Sequence, residues 1–292
     1  MKILVAGSSG FLGKYVVREL LKNNYKVYGI DIIENKNNDI SFTKCSLSNH
    51  EKLEKIFEEF KPDFVYNLSA LSDIDECIDN PLICIDSNIL GNAYLIDLSV
   101  KYKVKKFIFA SSVYASGNFG GFYATSKKSS ELIIKNYNQF YNLDYTILRY
   151  GTLFGLNAPQ TNSITKYTSQ ALIHGKIDYT GDGSEIREYI HIEDAAKLSL
   201  KILDEEFNNQ IISIVGNHRI KTEDLFSLIN NILGSTIKIN YNKSISKGRS
   251  DSHYKISPTS FDREKIYTLT SNLNRELGDS IVEIMQEVKN ED

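Results

Sequence analysis

Three side chains near the middle of the chain have the types and spacing for acid–base work at an oxygen. Tyr123 and Lys127 lie in Tyr123-Ala-Thr-Ser-Lys127. Residues four apart on a helix share a face, so this spacing sets the Lys127 ammonium near the Tyr123 phenol, where a positive charge favours the phenolate. Upstream, Phe107-Ile-Phe-Ala-Ser-Ser112 reads as a buried strand that ends in two serines. Open parallel sheets bind ligands beyond the carboxyl ends of their strands, and Ser112 can there donate a hydrogen bond to a substrate oxygen.

A second group of residues suits a phosphate and a ribose. Gly7-Ser-Ser-Gly10-Phe11-Leu12-Gly13 follows an apolar run and opens an amphipathic stretch. Its glycines allow a tight turn and a close backbone approach to a pyrophosphate at a helix N-terminus. Asp31 stands eighteen residues after Gly13, at the end of the second apolar run. A carboxylate there accepts hydrogen bonds from a ribose 2′-hydroxyl and repels a 2′-phosphate. The next residues, Ile32 and Ile33, offer no Arg to receive such a phosphate. NAD, not NADP, is therefore the expected cofactor.

The elements that must hold these residues alternate in the first half of the chain. Short continuous apolar runs at Ile3–Ala6, Val27–Ile30, Phe64–Leu68, Lys106–Ala110 and Tyr145–Arg149 read as buried parallel strands. Periodic stretches at Leu12–Leu21, His50–Phe60, Leu82–Tyr102 and Tyr123–Tyr141 read as the crossover helices between them. Right-handed crossovers then give an α/β fold, a Rossmann-type doubly wound parallel sheet. Beyond about residue 155 the alternation loosens. Helices are expected at Ser163–Leu172, Ile192–Leu203 and Thr222–Leu233, short strands near Ile211–Val215 and Ile237–Tyr241, a surface loop over Asn242–Ser252 and a last helix near Leu273–Val288. At roughly 150 residues per domain, 292 residues predict two units: a Rossmann domain over 1–155 and a smaller α/β substrate-binding region over 156–292, with the chain free to cross back between them.

Composition removes several other classes. Lys plus Arg is 34 against 37 Asp plus Glu, a net charge of −3, which lacks the basic excess of a nucleic-acid-binding domain. The histidines, His50, His174, His191, His218 and His253, are too dispersed for a metal site, and no metal is expected. Cys45, Cys77 and Cys84 contain no C-x-x-C pair and leave an odd count, which fits buried thiols in a reducing compartment. No apolar run reaches the roughly 18 residues of a membrane span. The N-terminal run is too short for an export signal, so no membrane partner and a cytoplasmic location are expected. Lys103, Lys105 and Lys106 read as a helix-end cap and a solvated turn.

These motifs together resemble the extended short-chain dehydrogenase/reductase family, in its branch of nucleotide-sugar epimerases and dehydratases, over nearly the whole chain. Leu68-Ser69-Ala70 resembles the family's stretch after the third crossover strand, beside the cofactor. Asn88 lies where the family has an Asn supporting the catalytic Lys. Arg149-Tyr-Gly-Thr152-Leu-Phe-Gly155 resembles the segment leading into the sugar-nucleotide site. Gly181-Asp-Gly183-Ser-Glu-Ile-Arg187-Glu-Tyr-Ile-His191-Ile-Glu-Asp194 resembles a signature whose Arg meets the diphosphate, and Arg249-Ser-Asp251 sits where a second diphosphate-binding Arg is found. Arg suits this task because its planar fork grips phosphate oxygens bidentately.

The resemblance implies an NAD-dependent nucleotide-sugar epimerase, acting at C4 through a transient keto sugar. Tyr123, Ser112 and Lys127 are its catalytic residues; Gly7, Gly10, Phe11, Leu12, Gly13, Asp31, Leu68, Ser69, Ala70, Asn88, Tyr123 and Lys127 hold NAD, Lys127 at the nicotinamide ribose; Ser112, Thr152, Arg187 and Arg249 hold a nucleotide-diphosphate sugar. An NAD-linked dehydrogenase or reductase of the same substrate fits these motifs too, and a non-catalytic NAD-binding regulator is the alternative from another class. The family also implies a homodimer paired through the helices at Leu82–Tyr102 and Tyr123–Tyr141. Four positions depart from its pattern. Only ten residues, Val113 to Phe122, separate Ser112 from Tyr123; Val113-Tyr114 replaces the Asp-Glu pair of the 4,6-dehydratases; Thr152 replaces a common Asn; Ser46 replaces an acidic residue near adenine. The missing Asp-Glu pair counts against a dehydratase, because elimination needs an extra acid and base.

Overall fold

Ile3, Leu4, Val5 and Ala6 are all fully buried, as a strand covered on both faces requires. Successive side chains point to opposite sides, so Ile3 and Val5 join one core and Leu4 and Ala6 the other. The computed structural model describes residues 1–35, 39–217, 219–242, 253–256, 266–270 and 275–291. Its first half runs β1 (Lys2–Ala6), α1 (Phe11–Lys22), β2 (Lys26–Asp31), β3 (Ser41–Lys44), α2 (His50–Phe60), β4 (Phe64–Asn67), α3 (Ile74–Asp79), α4 (Pro81–Ile85), α5 (Gly91–Lys101), β5 (Lys106–Ser112), α6 (Gly121–Tyr141) and β6 (Asp144–Tyr150). The second half continues with β7 (Thr152–Phe154), α7 (Ser163–His174), β8 (Lys176–Thr180), β9 (Ile186–His191), α8 (Ile192–Lys201), β10 (Gln210–Ile214), β11 (Arg219–Lys221), α9 (Thr222–Ile232), β12 (Lys238–Asn242), β13 (Ile266–Leu269) and α10 (Leu277–Glu291).

The large sheet has the order β13-β10-β6-β5-β4-β1-β2-β3, and every pairing in it is parallel. The order reverses between β1 and β4, which makes the carboxyl ends of these strands the place for a ligand crevice. One face is covered by α1 and α8 through Val16, Leu20, Ala195 and Leu198. The other is covered by α2, α5 and α6 through Phe57, Leu95, Ile96 and Ile134. A separate core joins α7, α9 and α10 through Ile164, Phe226, Ile229, Ile284 and Met285, beside the small sheets β11-β9-β7 and β12-β8.

Each strand and helix expected in the first half is present within a residue or two. The stretch at Leu82–Tyr102 is not one α-helix, however. Pro81 starts α4, a π-helical turn occupies Asp86–Leu90, and α5 resumes at Gly91. A π turn inserts an extra residue and rotates the helix beyond it, and such turns recur at functional sites. Gly91 is needed where the helix resumes, since a Cβ there would lie 2.8 Å from Leu47 Cβ. The short strands β7, β9 and β11 add to the expected elements, as do β3, β8 and β13. Lys106 is buried and its ammonium donates to the carbonyls of Ile202 (2.9 Å) and Asp204 (2.8 Å), so it caps α8. Cys45, Cys77 and Cys84 are buried free thiols.

Candidate active site

The glycine loop forms a cradle that side chains would close. Gly7 has φ +81°, and a Cβ on it would sit 2.7 Å from the Leu68 carbonyl carbon; one on Gly13 would overlap the Gly7 carbonyl oxygen at 1.9 Å. Helix α1 begins at Phe11 with Gly10 as its cap, no side chain bonds its first amides, and no acidic residue lies in its first turn. Its N-terminal N–H groups and dipole are thereby left for an anion. The Ser9 hydroxyl in the same loop is buried without a partner. Asp31 closes the cradle at the end of β2, where its carboxylate accepts from the backbone N–H of Ser9 (2.9 Å) and of Ile33 (2.9 Å). Each carboxylate oxygen keeps a further lone pair for a ribose hydroxyl. These residues fit a dinucleotide.

Leu68, Ser69 and Ala70 leave β4 directly beside Gly7. The Leu68 amide still bonds the Ala6 carbonyl at 2.9 Å, and the Ser69 amide donates to Asn67 Oδ1 at 3.1 Å. Asn88, in the π turn, accepts from the Leu71 amide (2.8 Å) and donates to the Leu71 carbonyl (3.0 Å) and the Ser126 hydroxyl (3.0 Å). It thus ties the loop after β4 to α6, and its side chain is occupied by protein groups.

Ser112, Tyr123 and Lys127 are brought together where β5 ends and α6 begins. The Ser112 hydroxyl bonds the Tyr123 phenol, which lowers the phenol's proton affinity, but burial outweighs it and pushes Tyr123 up to about 12. Burial brings Lys127 down to about 8. Its ammonium donates to the Ala110 carbonyl at 2.7 Å, 5.8 Å from the Tyr123 ring centre and 4.8 Å from that of Phe109. The expected proximity of Lys127 and Tyr123 therefore holds. The expected electrostatic lowering of the phenol does not dominate in the protein alone, because both groups are desolvated together.

Beneath these three lies an ion pair that the sequence motifs do not announce: Glu131 belongs to none of them, and Arg149 enters only as the first residue of the segment through Gly155. Arg149 and Glu131 are each 3% exposed and form a bidentate ion pair, Nε to Oε1 at 3.0 Å and Nη2 to Oε2 at 2.6 Å. Ser111, next to Ser112, donates to the same Glu131 oxygen. Arg149 Nη1 reaches the hydroxyl of Ser116 at 2.8 Å, closing the single 3-10 turn Val113–Ser116 after β5. Glu131 lies one helical turn beyond Lys127. A Y-x-x-x-K-x-x-x-E spacing with an Arg at the end of the next strand is the signal the chain carries for it.

At the other end of the crevice Arg187, on β9, donates to the Tyr254 carbonyl at 2.7 Å and lies over the Tyr254 ring at 4.4 Å. It does not pair with Glu188 or Asp194; Glu188 instead meets Arg219. Thr152 opens β7 opposite Tyr189, two residues along β9 from Arg187. The Tyr254 strap is fixed by the Ile186 amide, which donates to the Lys255 carbonyl at 2.7 Å. Its Tyr254 and His253 approach Tyr114 in the turn after Ser112, a grouping that no local pattern in the chain announces. Arg249 lies outside the described residues. Among the described residues no cluster could hold a metal ion, and no helix is long and apolar enough to cross a membrane.

The chain is similar in sequence and fold to several known proteins. The chain is 26% identical over 287 residues to the protein CapI of Staphylococcus aureus, covering 82% of this chain and 86% of the relative. It is 29% identical over 264 residues to a putative UDP-glucose 4-epimerase of Methanocaldococcus jannaschii, covering 82% and 85%. Among solved structures, the UDP-glucose 4-epimerase of Thermotoga maritima with UDP-glucose superposes with a TM-score of 0.80 at 28% identity, covering 88% of this chain and 89% of that one. The UDP-glucuronic acid 4-epimerase of Bacillus cereus, solved with UDP-glucuronic acid and NAD, shares the fold over 100% of both chains, with a TM-score of 0.85 at 22% identity. The pattern of one family matches residues 3–215, from β1 through the end of β10, and on that match the chain belongs to the NAD dependent epimerase/dehydratase family.

Proposed function

We propose that this chain is an NAD-dependent nucleotide-sugar epimerase acting at C4 of the sugar. The observation that carries this reading is the meeting of Ser112, Tyr123 and Lys127 at the carboxyl end of β5, in the same parallel sheet whose β1 leads into the glycine loop, with Arg187 linked to Tyr123 through the Tyr254 and Tyr114 rings. Bound NAD, held by Gly7, Gly10, Phe11, Leu12, Gly13, Asp31 and the Leu68–Ala70 loop, supplies hydride uptake and return. The chain's residues manage the proton and the pose. Tyr123, as the phenolate, takes the proton of the C4 hydroxyl and, as the phenol so formed, later gives it back. Ser112 donates a hydrogen bond to the same oxygen as it becomes a carbonyl, and Lys127 offsets negative charge on the phenol. Arg187 and Arg249 hold the nucleotide diphosphate and Thr152 contacts the substrate, leaving the keto sugar free to turn over before reduction. Val113-Tyr114 supplies no acid and base for elimination.

We assign residues 1–155 to the cofactor, with β10, β13 and α8 lent to their sheet, and the remainder of 156–292 to the sugar nucleotide. The chain pairs with a second copy through α4, the π turn and α6, where Leu82 (78% exposed), Leu132 (55%) and Phe140 (68%) present apolar side chains to solvent. We place the activity in the cytoplasm, where free thiols persist.

Hydrogen tracing tests the reaction. Incubated in heavy water with NAD and a panel of UDP-glucose, UDP-glucuronate, UDP-N-acetylglucosamine and dTDP-glucose, the protein should yield a C4 epimer with no deuterium at C5 and no accumulated NADH. Deuterium at C5 with loss of water would establish a dehydratase, stoichiometric NADH with a stable ketone a dehydrogenase, and no turnover with NAD bound a regulator.

A further inference from the structure

Tyr114 is held in a fitted slot beside Tyr123. Gly120, at φ +96°, approaches so closely that a Cβ there would lie 2.7 Å from Tyr114 Cδ1. The Tyr254 ring lies across Tyr114 at 4.4 Å between centres, and the Tyr123 ring meets it edge-on at 6.3 Å. The Tyr114 hydroxyl leaves this packing to bond His253 Nδ1 at 3.2 Å, across 139 residues of sequence. His253 itself is exposed, and the Arg187 guanidinium covers the buried Tyr254 ring at 4.4 Å. Arg187, Tyr254, Tyr114 and Tyr123 thus make one continuous run. It leads from the residue proposed for the diphosphate to the residue proposed for the proton.

A nucleotide sugar that spans this run must lay its sugar ring along Tyr114 and His253. We propose that the Tyr114–His253 pair is a specificity-determining wall that hydrogen-bonds the sugar ring of the nucleotide sugar; the inference rests on the function proposed above. When His253 Nδ1 accepts the tyrosine proton, Nε2 carries the ring hydrogen and donates to a sugar hydroxyl or acyl oxygen. The pair also accounts for the short Ser112 to Tyr123 connection. With only ten residues between them, the wall is made by the turn after Ser112 and by a strap arriving from the C-terminal part of the chain.

Calorimetric titration of the NAD-loaded protein with UDP-glucose, UDP-glucuronate, UDP-N-acetylglucosamine and UDP alone tests this. Tyr114→Phe keeps the packed ring and removes the hydroxyl. His253→Asn keeps a polar atom where Nδ1 stands and removes Nε2. Each should weaken the sugar nucleotides that the wild type binds by about 3- to 10-fold, the worth of one neutral hydrogen bond, while UDP binding stays within two-fold. Sugar-nucleotide affinities that do not change, or UDP weakened as much as the sugar nucleotides, would overturn the wall. A wild type that binds none of the sugar nucleotides would overturn the proposed function and this inference with it, a result read before any variant is made.

Discussion

Ser112, Tyr123 and Lys127 stand on a 7-residue strand and a 21-residue helix, whereas Arg187 and Tyr254 stand on a 6-residue strand and on a strap bonded to it. The first region is fixed from below by a buried ion pair with its own hydroxyl partners, so its polar groups are satisfied in one arrangement only. The second is held by two hydrogen bonds to the strap's backbone, from the Ile186 amide and from Arg187, and otherwise by rings and a guanidinium in stacked contact, which tolerate sliding. Proton transfer needs a close, directed approach of atoms and recognition needs a fitted outline. The two supports match those two demands.

The largest expected effect would break this comparison if it failed. Glu131→Ala strands the buried Arg149 guanidinium and should cost about 3–5 kcal/mol of unfolding free energy, measured by denaturant titration. Arg187→Ala, at the stacked end, should cost about 1 kcal/mol or less. Equal costs would mean that the two regions are held alike. Next in size, Tyr123→Phe should lower turnover by about 10²-fold or more while calorimetric affinities for NAD and UDP stay near wild type. Turnover near normal would remove Tyr123 from the proton-transfer end.

The smallest effect sharpens the comparison through pH. Folded Lys127 loses its proton near 8, against an ordinary value of 10.5. Between these the unfolded chain binds a proton that the folded chain does not, so the penalty for burying the ammonium is relieved as pH rises. From about pH 8 to pH 10, wild-type stability relative to Lys127→Met should therefore rise, by at most about 1.4 kcal/mol per pH unit. Unfolding midpoints of both proteins at pH 7.5 and 9.5 check the sign.

How much of this is legible in the chain obeys the same division. Apolar runs such as Ile3–Ala6 and the glycines after them are local signals, and Tyr123 and Lys127 are neighbours by helical period alone, so the glycine loop and the closeness of Tyr123 and Lys127 can be read directly. The π turn at Asp86–Leu90 cannot, because its cause is the fit of Asn88 to Leu71 and Ser126 and of Gly91 to Leu47, all distant in sequence. Strands β7 and β11 span three residues each and β11 is almost wholly polar, while β9, six residues long, sets Arg187 and Glu188 side by side and so shows neither an apolar run nor an alternation. The approach of His253 to Tyr114 is set by tertiary packing, and no spacing rule encodes it. The direction of the Lys127 ammonium, toward the Ala110 carbonyl, depends on the end of a strand seventeen residues earlier.

The strand order also sets a timetable for synthesis. When a ribosome has made residues 1–150, β6 is the last strand of the sheet and its free side carries unpaired N–H and C=O groups. Its native neighbour β10 spans Gln210–Ile214, so some sixty further residues must emerge before that edge is covered. The buried Lys106 must likewise wait for the carbonyls at the end of α8. An open, flat edge of this kind pairs readily with other chains. The half made first is therefore a nascent chain in need of protection, and a gene cut after β6 should yield an aggregating fragment, which light scattering of the expressed piece would show.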